Sequence, residues 1–224
     1  MSKQDIRRNP LAEWVGAVVR AIASHRSLVL GLAVAAVVIS GGIGAYLWYG
    51  DHQENLAQQA FAAAEQAMRG EKPGTPPNVE DATKKLGEVV SKFPRTVTAQ
   101  QALILIANIR FDGGKFDDAL ATYNQYLSQF PRGKFRVIAA IGKAYTQEAK
   151  GDLQGEVNTL TEVIAATPND ALLGEAYSTL ARVYESLKKP EDALRIYGQI
   201  AEKYPQTQWA QNALQRMSAL KAKS

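Results

Sequence analysis

The chain has 224 residues, of which 46% are apolar, and a formal net charge of +4. It contains no cysteine, which excludes a disulfide framework, a thiolate nucleophile and a thiolate metal site. Most of the positive charge lies at the start: residues 1–27 carry five basic and two acidic residues, whereas residues 50–224 carry 21 basic and 20 acidic ones. Because the long C-terminal part is nearly neutral, the composition argues against nucleic-acid binding, which needs a concentrated basic face.

Residues 28–49 form an apolar segment of 22 residues without a charge. As a helix this segment would be about 33 Å long, enough to cross a hydrocarbon core of about 30 Å. Aromatic side chains, which favour the lipid–water interface, cluster at its far end as Tyr46, Trp48 and Tyr49. Basic residues precede the segment and acidic residues follow it, which predicts a cytoplasmic N-terminus and a C-terminal part on the other side of the membrane.

The alternative for this segment is a cleaved signal peptide. The apolar region of a signal peptide spans about 7–15 residues and ends at small residues, whereas this segment is longer and ends in bulky aromatics, which favours an uncleaved anchor. Before the segment, apolar residues recur at helical spacing and predict either an amphipathic helix on the cytoplasmic leaflet or an extension of the spanning helix. They are Leu11, Trp14, Val15, Val18, Val19 and Ile22.

Four prolines recur at intervals of 37 residues, at positions 94, 131, 168 and 205. A fixed period of this length is the signature of stacked helix pairs. Other columns share the period and place small residues where two helices would cross closely; they are Ala102/Ala139/Ala176, Ala107/Ala144/Ala181 and Ala82/Ala119/Ala193, with Leu86/Tyr123/Leu160/Tyr197 as a column of large residues. The pattern predicts an all-α solenoid of about four helix pairs and a C-terminal capping helix. The predicted helices cover residues 52–69, 79–93, 96–111, 116–130, 133–149, 153–167, 170–187, 190–204 and 207–222.

Local signals mark the ends of several of these helices. Asn78, Asp170 and Thr207 are predicted N-caps, and Pro190 suits the first turn of a helix, where its missing N–H costs little. Gly114 and Gly151 predict tight turns inside their helix pairs. The same column of the fourth pair holds a lysine, Lys188.

The repeated columns resemble the tetratricopeptide repeat (TPR) over residues 79–205. The alanine columns match the small residues of that family's eighth and twentieth positions, and the prolines match its last position. Glu156 departs from the pattern because it stands where alanine is expected, beside Gly155, and this predicts a packing shift of one position in that pair. The spacing after each proline is similar to that of bacterial envelope TPR proteins.

The whole layout resembles the ancillary SecYEG translocon subunit family. The residues that carry the resemblance are the aromatic end of the apolar segment, residues 46–49, and the Gln- and Ala-rich run of residues 58–67. The resemblance implies a periplasmic partner-binding role at the translocon, near chaperones.

In TPR stacks the first helix of each pair lines the binding face. The register therefore predicts a candidate partner-binding groove, apolar at one end and polar at the other, suited to an extended or helical peptide. Its residues are Gln101, Ile104, Asn108, Phe111, Ile138, Ile141, Tyr145, Glu148, Glu175, Ser178, Arg182 and Glu185. The alternative is that Ile104 and Ile141 pack between repeats and that the other side chains are merely solvated.

The sequence contains no pattern that predicts catalysis or a bound cofactor or metal. His25 and His52 flank the apolar segment on opposite sides, so they cannot share a metal site. The acidic pairs at residues 117–118 and 191–192 open predicted helices, where carboxylates favour the positive end of the helix dipole. An enzyme would need a convergent polar cluster, and the sequence offers none.

The sequence thus predicts a cytoplasmic tail over residues 1–27, a transmembrane helix over residues 28–49 and a periplasmic solenoid over residues 50–224. The expected function is a protein–protein interaction module that serves as an accessory or chaperone-like factor of an envelope complex such as the secretion translocon. Its expected partners are other envelope proteins or peptides and the inner membrane, without nucleic acid. The alternative is a homo-oligomeric scaffold, or an organiser of cell-envelope or division complexes, built by edge-to-edge stacking.

Overall fold

The computed structural model describes residues 14–17, 23–70, 76–168 and 170–222. The described part of the chain is all-α, and it divides between His52 and Gln53 into two compact units. The helices are α1 (Arg26–Arg69), α2 (Val79–Lys92), α3 (Val97–Asp112), α4 (Phe116–Gln129), α5 (Arg136–Ala149), α6 (Leu153–Ala166), α7 (Leu173–Ser186), α8 (Pro190–Lys203) and α9 (Gln208–Lys221).

The first unit contains the apolar N-terminal part of α1. Within the described residues, α1 is the helix long and apolar enough to cross a membrane by length and composition, with a mean hydropathy of 2.3 over its most apolar 18 residues. The predicted segment 28–49 lies inside it, and most of its large side chains are exposed. At the aromatic end, the rings of Trp48 and His52 stack with centroids 5.4 Å apart. Of the apolar stripe predicted in the tail, Leu11, Val18, Val19 and Ile22 lie outside the described residues.

The second unit is a stack of helix pairs, as the 37-residue period predicts. From α2 onward each helix packs on the next, and α3, α5, α7 and the capping helix α9 also contact one another in order. The alanines of the three repeated columns are all buried to 2% exposure or less, because small side chains let neighbouring helices approach closely. The C-terminal part of α1 completes the first pair by burying Ala57, Phe61 and Ala64 against α2 and α3.

Two of the predicted helix starts are wrong by one turn. The helices expected from residues 133 and 170 begin at Arg136 and Leu173. Thr96 and Thr207 cap α3 and α9 with their side chains. Residue 133, in the same column before α5, is a glycine and has no side chain that could act as a cap. Asp170 is not the predicted N-cap, since its carboxylate accepts a hydrogen bond from Leu172 N at 2.9 Å in a local turn.

Glu156 occupies the place of the column alanine, and the predicted shift of packing is wrong. Glu156 has the same 0% exposure as Ala119 and Ala193, so the register of α6 is unchanged. Gly155 is held close to the preceding turn, where a Cβ atom would lie 2.1 Å from an Asp152 carboxylate oxygen. Glycine at this position thus permits the regular register beside a larger neighbour.

The turns inside the later pairs each use a left-handed residue, and the tight turns predicted at Gly114 and Gly151 are present. Gly114 and Gly151 have φ of 70° and 77°, and Lys188 adopts the same conformation with φ of 56°. A side chain makes this conformation unfavourable for a non-glycine residue.

We expect the substitution Lys188→Gly to raise the free energy of unfolding by about 0.5–1 kcal/mol, because relief of the left-handed strain outweighs the added freedom of the unfolded chain. Urea unfolding of the full chain in a non-ionic detergent, followed by circular dichroism, measures this change. Lys189→Gly is the matched control, since Lys189 has φ of −110° and its replacement should give no gain. Equal effects of the two substitutions would contradict the assignment of strain to Lys188.

The N-terminus of α3 is capped by a carboxylate of α1, which belongs to the preceding helix pair. Glu54 accepts hydrogen bonds from Val97 N at 2.8 Å, Thr98 N at 3.1 Å and Thr98 Oγ1 at 2.5 Å. A charged acceptor at a helix N-terminus satisfies free N–H groups and interacts favourably with the helix dipole.

We expect Glu54→Gln to lower the free energy of unfolding by about 1–2 kcal/mol, because the charge-assisted bonds to the end of α3 are lost. The same urea experiment measures the change. Asp51→Asn, which neutralises an exposed carboxylate one turn earlier, should have little effect. If Asp51→Asn is as damaging as Glu54→Gln, the effect arises from overall charge and not from the cap.

Candidate functional site: a groove along the first helices

The predicted groove residues lie on three successive first helices. Helix α3 contributes residues 101, 104, 108 and 111, α5 contributes residues 138, 141, 145 and 148, and α7 contributes residues 175, 178, 182 and 185. Eleven of the twelve line three adjoining depressions, which share Asn108 and Ile138 at one junction and Tyr145 at the other. The twelfth, Glu148, is bonded to the lining residue Arg182. We call this continuous surface the groove.

The apolar end of the groove consists of two depressions. The outer depression, beside Ile104, has a volume of about 420 Å³, and the central depression, between Ile138 and Tyr145, has a volume of about 290 Å³. Aliphatic and aromatic side chains dominate the lining, and Ile138, which borders both depressions, is 37% exposed. Ile104 lines the outer depression but is only 8% exposed and belongs to the core cluster of α3 and α4. Ile104 therefore serves mainly as packing, while Ile138 is available to a ligand.

Tyr123 of α4 lies beneath the central depression. Its hydroxyl donates a hydrogen bond to Asn108 Oδ1 at 2.5 Å, and burial, with a smaller effect of the Asp112 carboxylate, raises its pKa to about 12. Its ring lies so close to Gly142 that a Cβ atom there would approach ring carbon Cζ to 2.4 Å. The close approach of a glycine and a tyrosine thus shapes the bottom of this depression.

The polar end is a larger depression of about 580 Å³ between α5, α7 and α9. Arg182 donates two hydrogen bonds to the Glu148 carboxylate, at 2.5 and 3.0 Å, and its guanidinium lies 5.8 Å from the centroid of the Tyr145 ring. The hydrogen bonds to Glu148 raise the pKa of Arg182, so this arginine is charged. Its fork geometry and the tyrosine ring hold it in one orientation.

A second acid–base pair borders the same depression. The Glu185 carboxylate pairs with Arg216 of α9 and accepts a hydrogen bond from the Tyr197 hydroxyl at 2.6 Å. Burial of Tyr197, followed by its contact with Glu185, raises the pKa of the tyrosine to about 12. Two arginines of the polar end are therefore already neutralised by glutamates of the chain itself.

Glu156 is buried beside the arginine–glutamate pair of residues 182 and 148. Neither of its carboxylate oxygens has a hydrogen-bond partner in the described part of the chain. Burial, with a smaller contribution from the negative charge of Glu148, raises its pKa to about 7, and Arg182 opposes the shift. Such a group is expensive to ionise in the folded state.

Sequence reasoning missed the contribution of α9 to the groove. Gln208, Trp209, Asn212, Gln215 and Arg216 line the polar depression, although α9 was predicted only as a cap. The 37-residue period holds the signal for two of them, because Asn212 continues the column of Glu175 and Gln215 continues the column of Ser178. The capping helix thus extends the groove by one more first helix.

The described residues hold no cluster of three or more His, Asp or Glu side chains suited to a metal ion. The predicted acidic pairs open α4 and α8, where they lie in the first turn. The polar groups of the groove bond chiefly to one another, an arrangement suited to recognition of a surface.

Comparison with known proteins agrees with the repeat architecture. A curated relative, the ancillary SecYEG translocon subunit of Neisseria gonorrhoeae, is 29% identical over 191 residues, which cover 83% of this chain and 88% of the relative. Solved structures that share the fold include MamA from Desulfovibrio magneticus RS-1, with a TM-score of 0.54 and 17% identity over 75% of this chain and 84% of that one. A TPR protein from Parabacteroides merdae matches with a TM-score of 0.57 and 17% identity over 74% of this chain and 61% of that one.

These matches confirm the TPR-like solenoid and the resemblance to the ancillary translocon subunit. The family model described as YfiO, outer membrane lipoprotein, matches residues 53–223, which is the second compact unit and leaves out the apolar part of α1. Since this match covers most of the chain, the protein belongs to the YfiO family.

Proposed function

We propose that the protein is a membrane-anchored interaction module that binds segments of other envelope proteins in its groove. The observation that carries this proposal is the continuity of the groove: side chains from α3, α5, α7 and α9 meet along one surface with an apolar end and a polar end. An apolar anchor flanked by oriented polar groups is the usual composition of a peptide-binding surface.

The proposed cellular role is that of an accessory or chaperone-like factor of an envelope complex, such as the secretion translocon. The name of the Neisseria relative supports this role. Anchoring by α1 fits the absence of cysteine, because the sequence offers no thiol for lipid attachment. The basic residues before α1 support a cytoplasmic N-terminus and a periplasmic groove.

The paired charges of the groove favour binding over catalysis. Arg182 and Arg216 are held by Glu148 and Glu185, so their charges are positioned but neutralised. A catalytic site would instead aim polar groups at a reacting atom. We therefore propose a non-enzymatic role.

Site-specific photo-crosslinking in cells tests the groove as the binding surface. A benzoylphenylalanine in place of Tyr145 keeps an aromatic ring at the junction of the depressions, and one in place of Ile138 probes the apolar end. We expect both to crosslink discrete partner proteins, identified by mass spectrometry, while the exposed position of Asn124 on α4 should not. Equal crosslinking to the same partners from all three positions would reject the groove.

A further inference from the structure

Glu175 is the carboxylate of the polar depression that has no cationic partner among the described residues. The Tyr145 hydroxyl donates a hydrogen bond to its Oε1 atom at 2.8 Å, and the Thr179 hydroxyl lies 3.4 Å from the same tyrosine oxygen. Among the residues that the structure describes, no lysine, arginine or histidine forms an ion pair with Glu175. Its neighbours Glu148 and Glu185 each pair with an arginine.

The depression that Glu175 borders therefore has an excess of negative charge. Its lining contains two arginines and two glutamates, at residues 182, 216, 175 and 185. Glu148, which is paired with Arg182, adds a third glutamate. The rest of the lining is uncharged, and the amides of Gln208, Asn212 and Gln215 supply carbonyl oxygens that can accept hydrogen bonds. A partly enclosed site with surplus acceptors attracts a cation more strongly than an exposed carboxylate does.

We infer that this depression binds a lysine or arginine side chain of the segment held in the groove, with Glu175 as its counter-ion. This inference rests on the proposed function. The Tyr145 ring, which already lies beside one guanidinium, contributes a surface that favours cations. Because Tyr145 borders both the polar and the central depression, the cation of the partner lies next to the apolar residue that occupies the groove beside Ile138 and Ile141.

An anionic ligand fits this site less well. To meet a carboxylate or a phosphate, Arg182 would have to leave Glu148 or Arg216 would have to leave Glu185, and either move would strand a half-buried carboxylate. The cation needs no such rearrangement, since the Glu175 carboxylate has lone pairs left after its bond to Tyr145. Charge complementarity thus selects a basic partner segment.

The test selects phage-displayed random dodecapeptides on the full chain in detergent micelles. Parallel selections use the wild type, Glu175→Gln and the groove variant Ile138→Asp. We expect wild-type selections to enrich peptides with a lysine or arginine close to an aliphatic residue, and selections on Ile138→Asp to lose them. A synthetic peptide of the enriched sequence should bind Glu175→Gln about tenfold more weakly than the wild type. Glu162→Gln, which neutralises an exposed carboxylate on α6, is the control and should bind the peptide with the affinity of the wild type.

Replacement of the basic residue of that peptide by methionine completes a double-mutant cycle between the peptide and Glu175. The change should weaken binding to the wild type about tenfold but hardly affect binding to Glu175→Gln, because the two effects share one contact. Peptides that depend on Ile138 but carry no basic residue, or that bind Glu175→Gln normally, would overturn the inference and leave the proposed function intact. Peptides that bind independently of Ile138, or the absence of any enriched peptide, would overturn both.

Discussion

Replacing Glu156 with glutamine is expected to raise the free energy of unfolding by as much as about 3 kcal/mol at pH 8, given a carboxyl pKa of about 7 in the folded chain and 4.5 as the ordinary value. The side chain is fully buried, and neither carboxylate oxygen has a partner among the described residues. Glutamine keeps the shape of the side chain and cannot ionise, so it removes the cost of burying a charge.

The expected gain depends on pH with a definite sign. Below pH 4.5 the carboxyl is protonated in both the folded and the unfolded chain, and its ionisation costs nothing. Between pH 4.5 and about 7 only the unfolded chain releases the proton, so the stability of the wild type falls as the pH rises, and it levels off above the folded pKa of about 7. The advantage of Glu156→Gln should therefore be small at pH 4.5, grow through this window and remain constant at higher pH.

Urea unfolding of the full chain in non-ionic detergent, repeated from pH 4.5 to pH 8, measures this dependence. Glu162→Gln is the control on the same helix, because the Glu162 carboxylate is 76% exposed and an exposed carboxylate contributes little through an ion pair. A gain for Glu156→Gln that is equal at all pH values would show that ionisation of residue 156 is not its cause.

Gly142→Ala is expected to lower the free energy of unfolding by about 1–3 kcal/mol, because it inserts an atom into a filled space. The new Cβ atom would lie 2.4 Å from Cζ and 2.6 Å from the hydroxyl oxygen of Tyr123. The ring can move only by giving up its hydrogen bond to Asn108, which leaves a buried hydroxyl in need of a partner. The displaced ring would also enter the central depression, so peptide binding should weaken together with stability.

Gly198→Ala is the matched control for this prediction. Gly198 lies inside α8, and apart from the adjacent residues and backbone of its own helix no described atom lies within 4 Å of the Cβ position, so alanine there should raise the free energy of unfolding by about 0.5–1 kcal/mol through helix propensity. Urea unfolding and binding of the groove peptide measure the two properties in each variant. If both substitutions stabilise the chain, the space between Gly142 and Tyr123 is larger than the structure shows.

The helix pairs could be predicted because the signals for them are local or periodic. The alanine columns repeat every 37 residues, and Asn78 caps its helix by accepting a hydrogen bond from a residue three positions away, Asp81 N. Pro190 lies at the start of its helix because its ring fixes a helical φ and its missing N–H is not needed in the first turn. The twelve groove residues follow from the same period, since a fixed register repeats the facing direction of each first helix.

The features that could not be predicted depend on contacts between distant residues. Glu54 and the helix end that it caps are separated by 43 residues, and no pattern near residue 54 marks that role. At the late start of α5, where Gly133 offers no cap, the Tyr126 hydroxyl of α4 accepts a hydrogen bond from Phe135 N at 2.9 Å, and this contact is not marked in the local sequence. The surplus charge of Glu175 likewise depends on contacts between helices, because Arg182 and Arg216 are paired with Glu148 and Glu185.

Burial of Glu156 in an alanine column gives the third pair a built-in weakness at neutral pH. The group lies beside the Arg182–Glu148 pair that borders the polar depression, and its negative charge adds to the effect of Glu148 in raising the pKa of Arg182. A destabilised position next to a binding surface is common, because a surface selected for its ligand is not selected for stability alone.

Protection of a single introduced cysteine tests the groove most directly. The native sequence has no cysteine, so Ile138→Cys in the groove and Ala121→Cys on the exposed face of α4 each give one thiol to follow with a membrane-permeant maleimide. If the groove holds partner segments, Ile138→Cys reacts several-fold more slowly in cells than in the purified chain, while Ala121→Cys reacts at the same rate in both. Equal rates for Ile138→Cys in cells and in the purified chain would contradict the groove as the partner-binding surface.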